Sequence, residues 1–167
     1  QAHSAWLAAG RVGTIAAGTG FGKSRVAIIE IERMLLDAKL TVQDYDTECI
    51  LLVTPTEKLR DENWPKEFDD WNMTDVAEKY VKAICFASLK KELGKKYKLV
   101  ILDEIHRLTD MSAAAFISTG EDVLTTFMAE NLSEAVMGLT ATVPDVKRDP
   151  DKARIIAQIA PVVFTYS

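Results

Sequence analysis

The sequence predicts an α/β fold with a mostly parallel central sheet and helices on both faces, in one domain spanning residues 1–167. Three observations predict it. Short apolar runs of β type alternate with helical patterns along the whole chain. One of those runs ends in a glycine-rich turn that opens a helix, and another ends in an acidic pair. The composition, 48% hydrophobic and 27% charged, is that of an ordinary globular core. A formal charge of −5 excludes a broadly basic nucleic-acid-binding module, so any such contact must be local or shared with another part of the protein. No apolar stretch approaches the roughly 20 residues of a membrane span, and no signal-peptide pattern opens the chain. A cytoplasmic protein is expected, or a nuclear one in a eukaryote, with no membrane partner. Cys49 and Cys85 lack the C-x-x-C spacing of a zinc site and read as reduced thiols on strands.

Taken in order, residues 1–9 read as a helix stopped by Gly10, followed by a short strand at 12–17. From Lys23 to about Lys39, Val26, Ile29, Leu35 and Leu36 recur at helical spacing. A strand at 49–53 precedes a helix over about 56–71, in which Pro65 predicts a kink or break. Strands follow at 82–87, 98–102, 135–139 and 162–166, with a short helix from Ser88 and a loop and helical stretch after Asp103. Lys147–Lys152 mixes charge signs and reads as surface.

The segment Ala17-Gly18-Thr19-Gly20-Phe21-Gly22-Lys23-Ser24 stands between a strand and a helix, as a phosphate cradle requires. Backbone N–H groups in such a turn surround phosphate, and the helix N-terminus adds partial positive charge. Gly18, Gly20 and Gly22 permit close approach and unusual dihedrals. Lys23 would reach the β- and γ-phosphates of ATP, and the Ser24 hydroxyl would ligate Mg²⁺. The second half of such a site needs carboxylates at the C-terminal end of a neighbouring strand. Leu99-Val100-Ile101-Leu102 followed by Asp103-Glu104 supplies them. Asp103 would hold Mg²⁺ partly through water, and Glu104 would orient or deprotonate the attacking water.

At these residues the chain resembles superfamily 2 DExH-box helicases and translocases. Asp103-Glu104-Ile105-His106 is similar to the DExH box, and Ala17–Ser24 to motif I, with Ala17 where the generic phosphate-loop pattern has glycine. Gly138-Leu139-Thr140-Ala141-Thr142 resembles motif III, and Leu52-Val53-Thr54-Pro55-Thr56 resembles motif Ia. The resemblance runs over nearly the whole chain. It implies a RecA-like P-loop fold, ATP and Mg²⁺ as cofactors, and a nucleic-acid partner. It also implies that Thr19 and Phe21 share the nucleotide contacts of the glycines, and that Gln1 reads adenine. His106, Thr140 and Thr142 would couple the nucleotide to nucleic-acid grip, and Thr54, Thr56 and Ser88 would meet the sugar-phosphate backbone. The Gly-Leu-Thr-Ala-Thr form is closer to DNA-directed members, as in phage, restriction and repair helicases, than to RNA helicases. A second RecA-like domain, which supplies an arginine finger in the family, is expected as a partner, and the chain is expected to be the first motor domain of a longer protein. Alone it should hydrolyse ATP weakly. A metabolic P-loop ATPase or kinase and a non-catalytic ATP-dependent scaffold are the alternatives.

Other residues read as structural. Trp64, Phe68 and Trp71 share one helical face and are expected in the core. Trp6 reads as packing and His3 as solvated. Lys90, Lys91, Lys95, Lys96 and Lys98 read as a solvated connecting face.

Overall fold

A computed structural model describes residues 1–18, 22–41, 47–130, 134–143 and 145–166. Six strands, β1 (Val12–Ala17), β2 (Ile50–Thr54), β3 (Val81–Cys85), β4 (Leu99–Leu102), β5 (Val136–Thr140) and β6 (Val162–Tyr166), form one sheet in the order β3-β2-β4-β5-β1-β6. Every pairing in it is parallel. Parallel neighbours need crossover connections, and the helices supply them. These are α1 (Ala2–Ala8), α2 (Lys23–Thr41), α3 (Trp64–Asp70), α4 (Thr74–Tyr80), α5 (Ile105–Thr119), α6 (Val123–Glu130) and α7 (Pro150–Ile159).

The two-residue period of a strand sorts the core into two layers. Ile50 and Leu52 of β2, with Leu99 and Ile101 of β4, pack on Trp6, Val26, Ile31, Trp64 and Phe68 from α1, α2 and α3. Their alternates Leu51, Val53, Val100 and Leu102 pack on Ile105, Leu108, Leu124, Phe127 and Ile156 from α5, α6 and α7. Both faces of the sheet are therefore covered, and its central strands read as unbroken apolar runs. Gly138 of β5 is forced by this packing: a Cβ there would stand 2.4 Å from Thr14 Oγ1 and 3.1 Å from Ile105 Cδ1.

Several expectations are corrected. The helix expected over about 56–71 is present as an unbroken helical run over 57–70, but its middle, Leu59–Asn63, is a π-helical turn and only its last part is α3. Pro65 lies just past that turn, with Asn63 and Trp64 before it in helical backbone, so the break expected there takes the form of a local change from π-helical to α-helical pairing beside the missing N–H. Trp71 leaves the helical face because α3 ends at Asp70; it is 46% exposed, with the Arg25 guanidinium 3.7 Å from its ring centroid. The mixed-charge run of 147–152 lies at the surface as expected, and α7 starts within it at Pro150. His3 is not solvated, since its Nε2 lies 2.9 Å from Glu30 Oε1. The lysine-rich connection is a solvated face as expected, with Lys90 paired to Glu121 and Lys98 to Glu134. Cys49 and Cys85 both carry thiols, the first buried and the second half-buried.

His3 belongs to a cluster that fastens α1 and the entry of β1 to α2. The Glu30 side chain is wholly buried. It accepts from Arg11 Nε and Nη2 at 3.0 and 2.7 Å, and from Arg33 Nε and Nη2 at 2.6 and 2.7 Å. Burial pushes this carboxyl up, but the hydrogen bonds from Arg33, His3 and Arg11 outweigh it and hold it below its ordinary value.

Candidate functional site

All strands point the same way, so the segments that follow β1, β2, β4 and β5 emerge along one edge of the sheet. Such an edge is where open parallel sheets place their ligand crevice. A cavity of about 450 Å³ opens there, with Gly22, Lys23, Ser24, Asp103, Glu104 and Ala141 in its wall. Leu59, Asn63, Trp64 and Glu67 complete the lining from the side of α3.

The first part of the wall is the start of α2. Gly22 holds φ at +81°, a left-handed conformation that favours glycine, and turns the chain into the helix. No acidic residue occupies the first turn of α2, so the helix does not offset its own positive end. Lys23 Nζ donates to the Ala17 carbonyl at 2.9 Å, which keeps the ammonium at the mouth of β1. Gly18 is half-buried, with open space where a side chain would stand. Thr19, Gly20 and Phe21 lie outside the described residues.

The second part is the end of β4. Asp103 is only 8% exposed, and its Oδ2 accepts from the Trp64 indole Nε1–H at 2.7 Å. Burial pushes the Asp103 carboxyl up to about 6, and the neighbouring Glu104 adds to this. The hydrogen bonds from Trp64 and from the Glu104 backbone oppose it, as does the Lys23 charge. A carboxylate driven up by desolvation gains by acquiring a cation. Glu104 takes a left-handed conformation, φ 48° and ψ 57°, and turns β4 into α5 within one residue. That conformation costs a non-glycine residue about 1 kcal/mol. Glu104 Oε2 meets Arg107 Nη1 at 3.1 Å.

Ser24 and Asp103 offer hard oxygen donors, the type Mg²⁺ takes one or two of while keeping water and phosphate as its other ligands. Among the described residues no three His, Cys, Asp or Glu side chains converge on one point, so there is no all-protein metal cage. The residues present fit Mg²⁺ delivered with a phosphate ligand. Three of the lining residues are acidic, Glu67, Asp103 and Glu104, against the one ammonium of Lys23. A polyphosphate without a cation would meet a wall of its own sign.

The residues expected to couple nucleotide to nucleic acid lie beside this wall. Thr140 Oγ1, at the end of β5, stands 2.8 Å from His106 Nδ1 and donates to the Thr142 carbonyl at 3.1 Å. Burial lowers the His106 pKa, which favours the neutral imidazole. Thr54 is fully buried and its hydroxyl donates to the Thr56 carbonyl at 2.9 Å, so it shapes the loop after β2 and does not face solvent. Thr56 is half-buried and caps the π-helical segment, its Oγ1 accepting the Leu59 N–H at 3.2 Å. Ser88 is half-buried in the short 3-10 helix Phe86–Glu92. Gln1 is the exposed cap of α1 and is not among the residues of the cavity wall.

Trp64, Asn63 and Glu67 were not among the expected site residues. The sequence does hold one signal for Trp64: a buried indole N–H requires an acceptor, and no apolar stripe provides one.

No protein-family model and no curated protein sequence matches the chain. Solved structures do. The UvsW helicase from bacteriophage T4 is 15% identical, with a TM-score of 0.60 over 98% of this chain and 58% of that one. The Sulfolobus solfataricus SWI2/SNF2 ATPase core, solved with dsDNA, is 17% identical, with a TM-score of 0.59 over 92% of this chain and 32% of that one. The Pyrococcus furiosus Hef helicase domain is 17% identical, with a TM-score of 0.59 over 96% of this chain and 35% of that one. The chain thus has the RecA-like fold of these helicase and ATPase cores and spans about a third to just over half of their lengths.

Proposed function

We propose that this RecA-like fold is the ATP-binding motor domain of a nucleic-acid-dependent ATPase, a helicase or translocase working on DNA more readily than RNA. One observation carries the reading: Lys23 and Ser24 from the start of α2, and Asp103 and Glu104 from the end of β4, line a single cavity. The threonines that resemble the coupling motifs end the strands on either side of β4. The likeness to a SWI2/SNF2 core solved with dsDNA supports DNA as the track.

In this reading Lys23 and the backbone at the start of α2 grip the β- and γ-phosphates. Ser24 and Asp103 would hold Mg²⁺, which would supply positive charge against the phosphates. Glu104 orients the attacking water and accepts its proton at a carboxylate oxygen, and the γ-phosphoryl group leaves ADP for that water. The Glu104–Arg107 contact is exposed enough to yield as the water is engaged. His106 senses the change through Thr140, which is hydrogen-bonded to the Thr142 carbonyl, and Thr142 passes it toward the nucleic acid. A second RecA-like domain closes the cleft and supplies the arginine finger, so the single domain turns over slowly. The chain acts in the cytoplasm, or the nucleus of a eukaryote.

Calorimetric titration with ATP tests the nucleotide half of the reading. Binding is expected with Mg²⁺ and is expected to weaken strongly in EDTA. Lys23→Ala is expected to cost about 30-fold in affinity, the low end for a charge contact left unmade. Binding indifferent to both Mg²⁺ and Lys23 would contradict the assignment.

A further inference from the structure

The Trp64 side chain does more than fill the core. It is 3% exposed and packs on Phe68, with ring centroids 5.8 Å apart. Its indole forms part of two walls: that of the phosphate-side cavity, and that of an apolar cavity of about 240 Å³ beneath α3 and α4. Its one polar atom is spent on Asp103 Oδ2, across 39 residues of chain, at 2.7 Å. An N–H given to one carboxylate oxygen fixes that group's rotation, and with it the direction of the lone pairs left for a cation. The segment that carries Trp64 is itself anchored at the loop after β2. Leu59 N–H donates to Thr56 Oγ1 and Arg60 N–H to the Thr56 carbonyl, both at 3.2 Å, and the π-helical turn between them runs straight into α3.

We infer that Trp64 is a positioning residue for the Asp103 carboxylate, setting its affinity for a divalent cation and tying it to the Thr54–Thr56 loop. The inference rests on the proposed function for the identity of the cation's role. It adds a link between the loop beside β2 and the metal carboxylate that does not pass through His106 and Thr140. A movement of the Thr56 loop would reach Asp103 through one helix and one hydrogen bond.

The test is the Mg²⁺ concentration that half-saturates ATP binding, read by calorimetry, together with Mn²⁺ binding read by electron paramagnetic resonance. Trp64→Phe removes the donor and keeps an aromatic ring in the wall. Phe68→Leu disturbs the same packing and leaves the donor in place. Trp64→Phe is expected to raise the half-saturating Mg²⁺ about tenfold and weaken Mn²⁺ alike, as loss of a ligand's supporting hydrogen bond does elsewhere. ATP affinity in EDTA is expected to stay put, and Phe68→Leu is expected to leave both metal readouts unchanged. Should Trp64→Phe fail to fold, benzothienylalanine at position 64 exchanges only the N–H for sulfur and is expected to give the same shift. Unchanged metal affinity in the donor-less variants, or an equal change in Phe68→Leu, would reduce Trp64 to packing and overturn the inference. Wild-type ATP binding that ignores Mg²⁺ altogether would instead bring down the proposed function, and this inference with it.

Discussion

Glu104→Gln is expected to lower ATP turnover about 10³-fold while Mg²⁺·ATP still binds, since a positioned general base contributes 10²–10⁴. Glu104 is held in a left-handed conformation at the turn from β4 to α5, in the same cavity wall as Asp103. A glutamine fits that turn and keeps one oxygen, so the fold and the phosphate contacts proposed for Lys23 are expected to survive. What is lost is the acceptor proposed for the proton of the attacking water. Single-turnover hydrolysis alongside nucleotide titration separates the two effects. Hydrolysis at the wild-type rate would remove Glu104 from this role, whatever its place in the cavity.

The second large effect is on the fold. Glu30→Gln is expected to destabilise the chain by about 3 kcal/mol at neutral pH, the low end for breaking a buried ion pair, because Arg11 and Arg33 can partly reach water. For a chain of this length that corresponds to a fall of roughly 6–12 °C in melting temperature. The pH dependence follows from the direction of the Glu30 shift. Its folded pKa lies below the ordinary 4.5, so its contribution is complete above about 4.5. It is lost as pH falls through the folded value. Thermal melts of both proteins between pH 7 and pH 3 should show the gap between them narrowing only below about 4.5. A gap independent of pH over that range would mean that the Glu30 charge adds nothing.

The strands were legible because each is a short apolar run with a turn or a functional residue at its end. Leu99–Leu102 before Asp103 and Val136–Thr140 at the motif III threonine were placed within a residue. The short polar helices were not. Thr74–Tyr80 has no fully buried residue, and Pro150–Ile159 opens inside a run of mixed charge, so neither presents a long apolar face to periodicity. Trp71 was misplaced because the i, i+7 argument assumes a helix that continues through it, and α3 stops one residue short. The Glu30 cluster was hidden for a different reason. A glutamate within a helix reads as surface, and only the meeting of α1, the entry of β1 and α2 buries it. At the site, Lys23, Ser24, Asp103 and Glu104 stood in motifs whose strand-turn-helix context was readable. Trp64 and Glu67 come to the cavity by tertiary packing of α3, which no spacing along the chain encodes.

The central claim is that ATP consumption here answers to nucleic acid. Steady-state ATP hydrolysis by the chain together with the second RecA-like domain proposed for it tests it most directly, measured with single-stranded DNA, duplex DNA, RNA and none, with Glu104→Gln as the blank. The account predicts low basal hydrolysis, strong stimulation by DNA, a smaller response to RNA, and none in the blank. Mg²⁺·ATP binding with hydrolysis that no nucleic acid alters would contradict it, and would point to a metabolic ATPase or a scaffold built on the same fold.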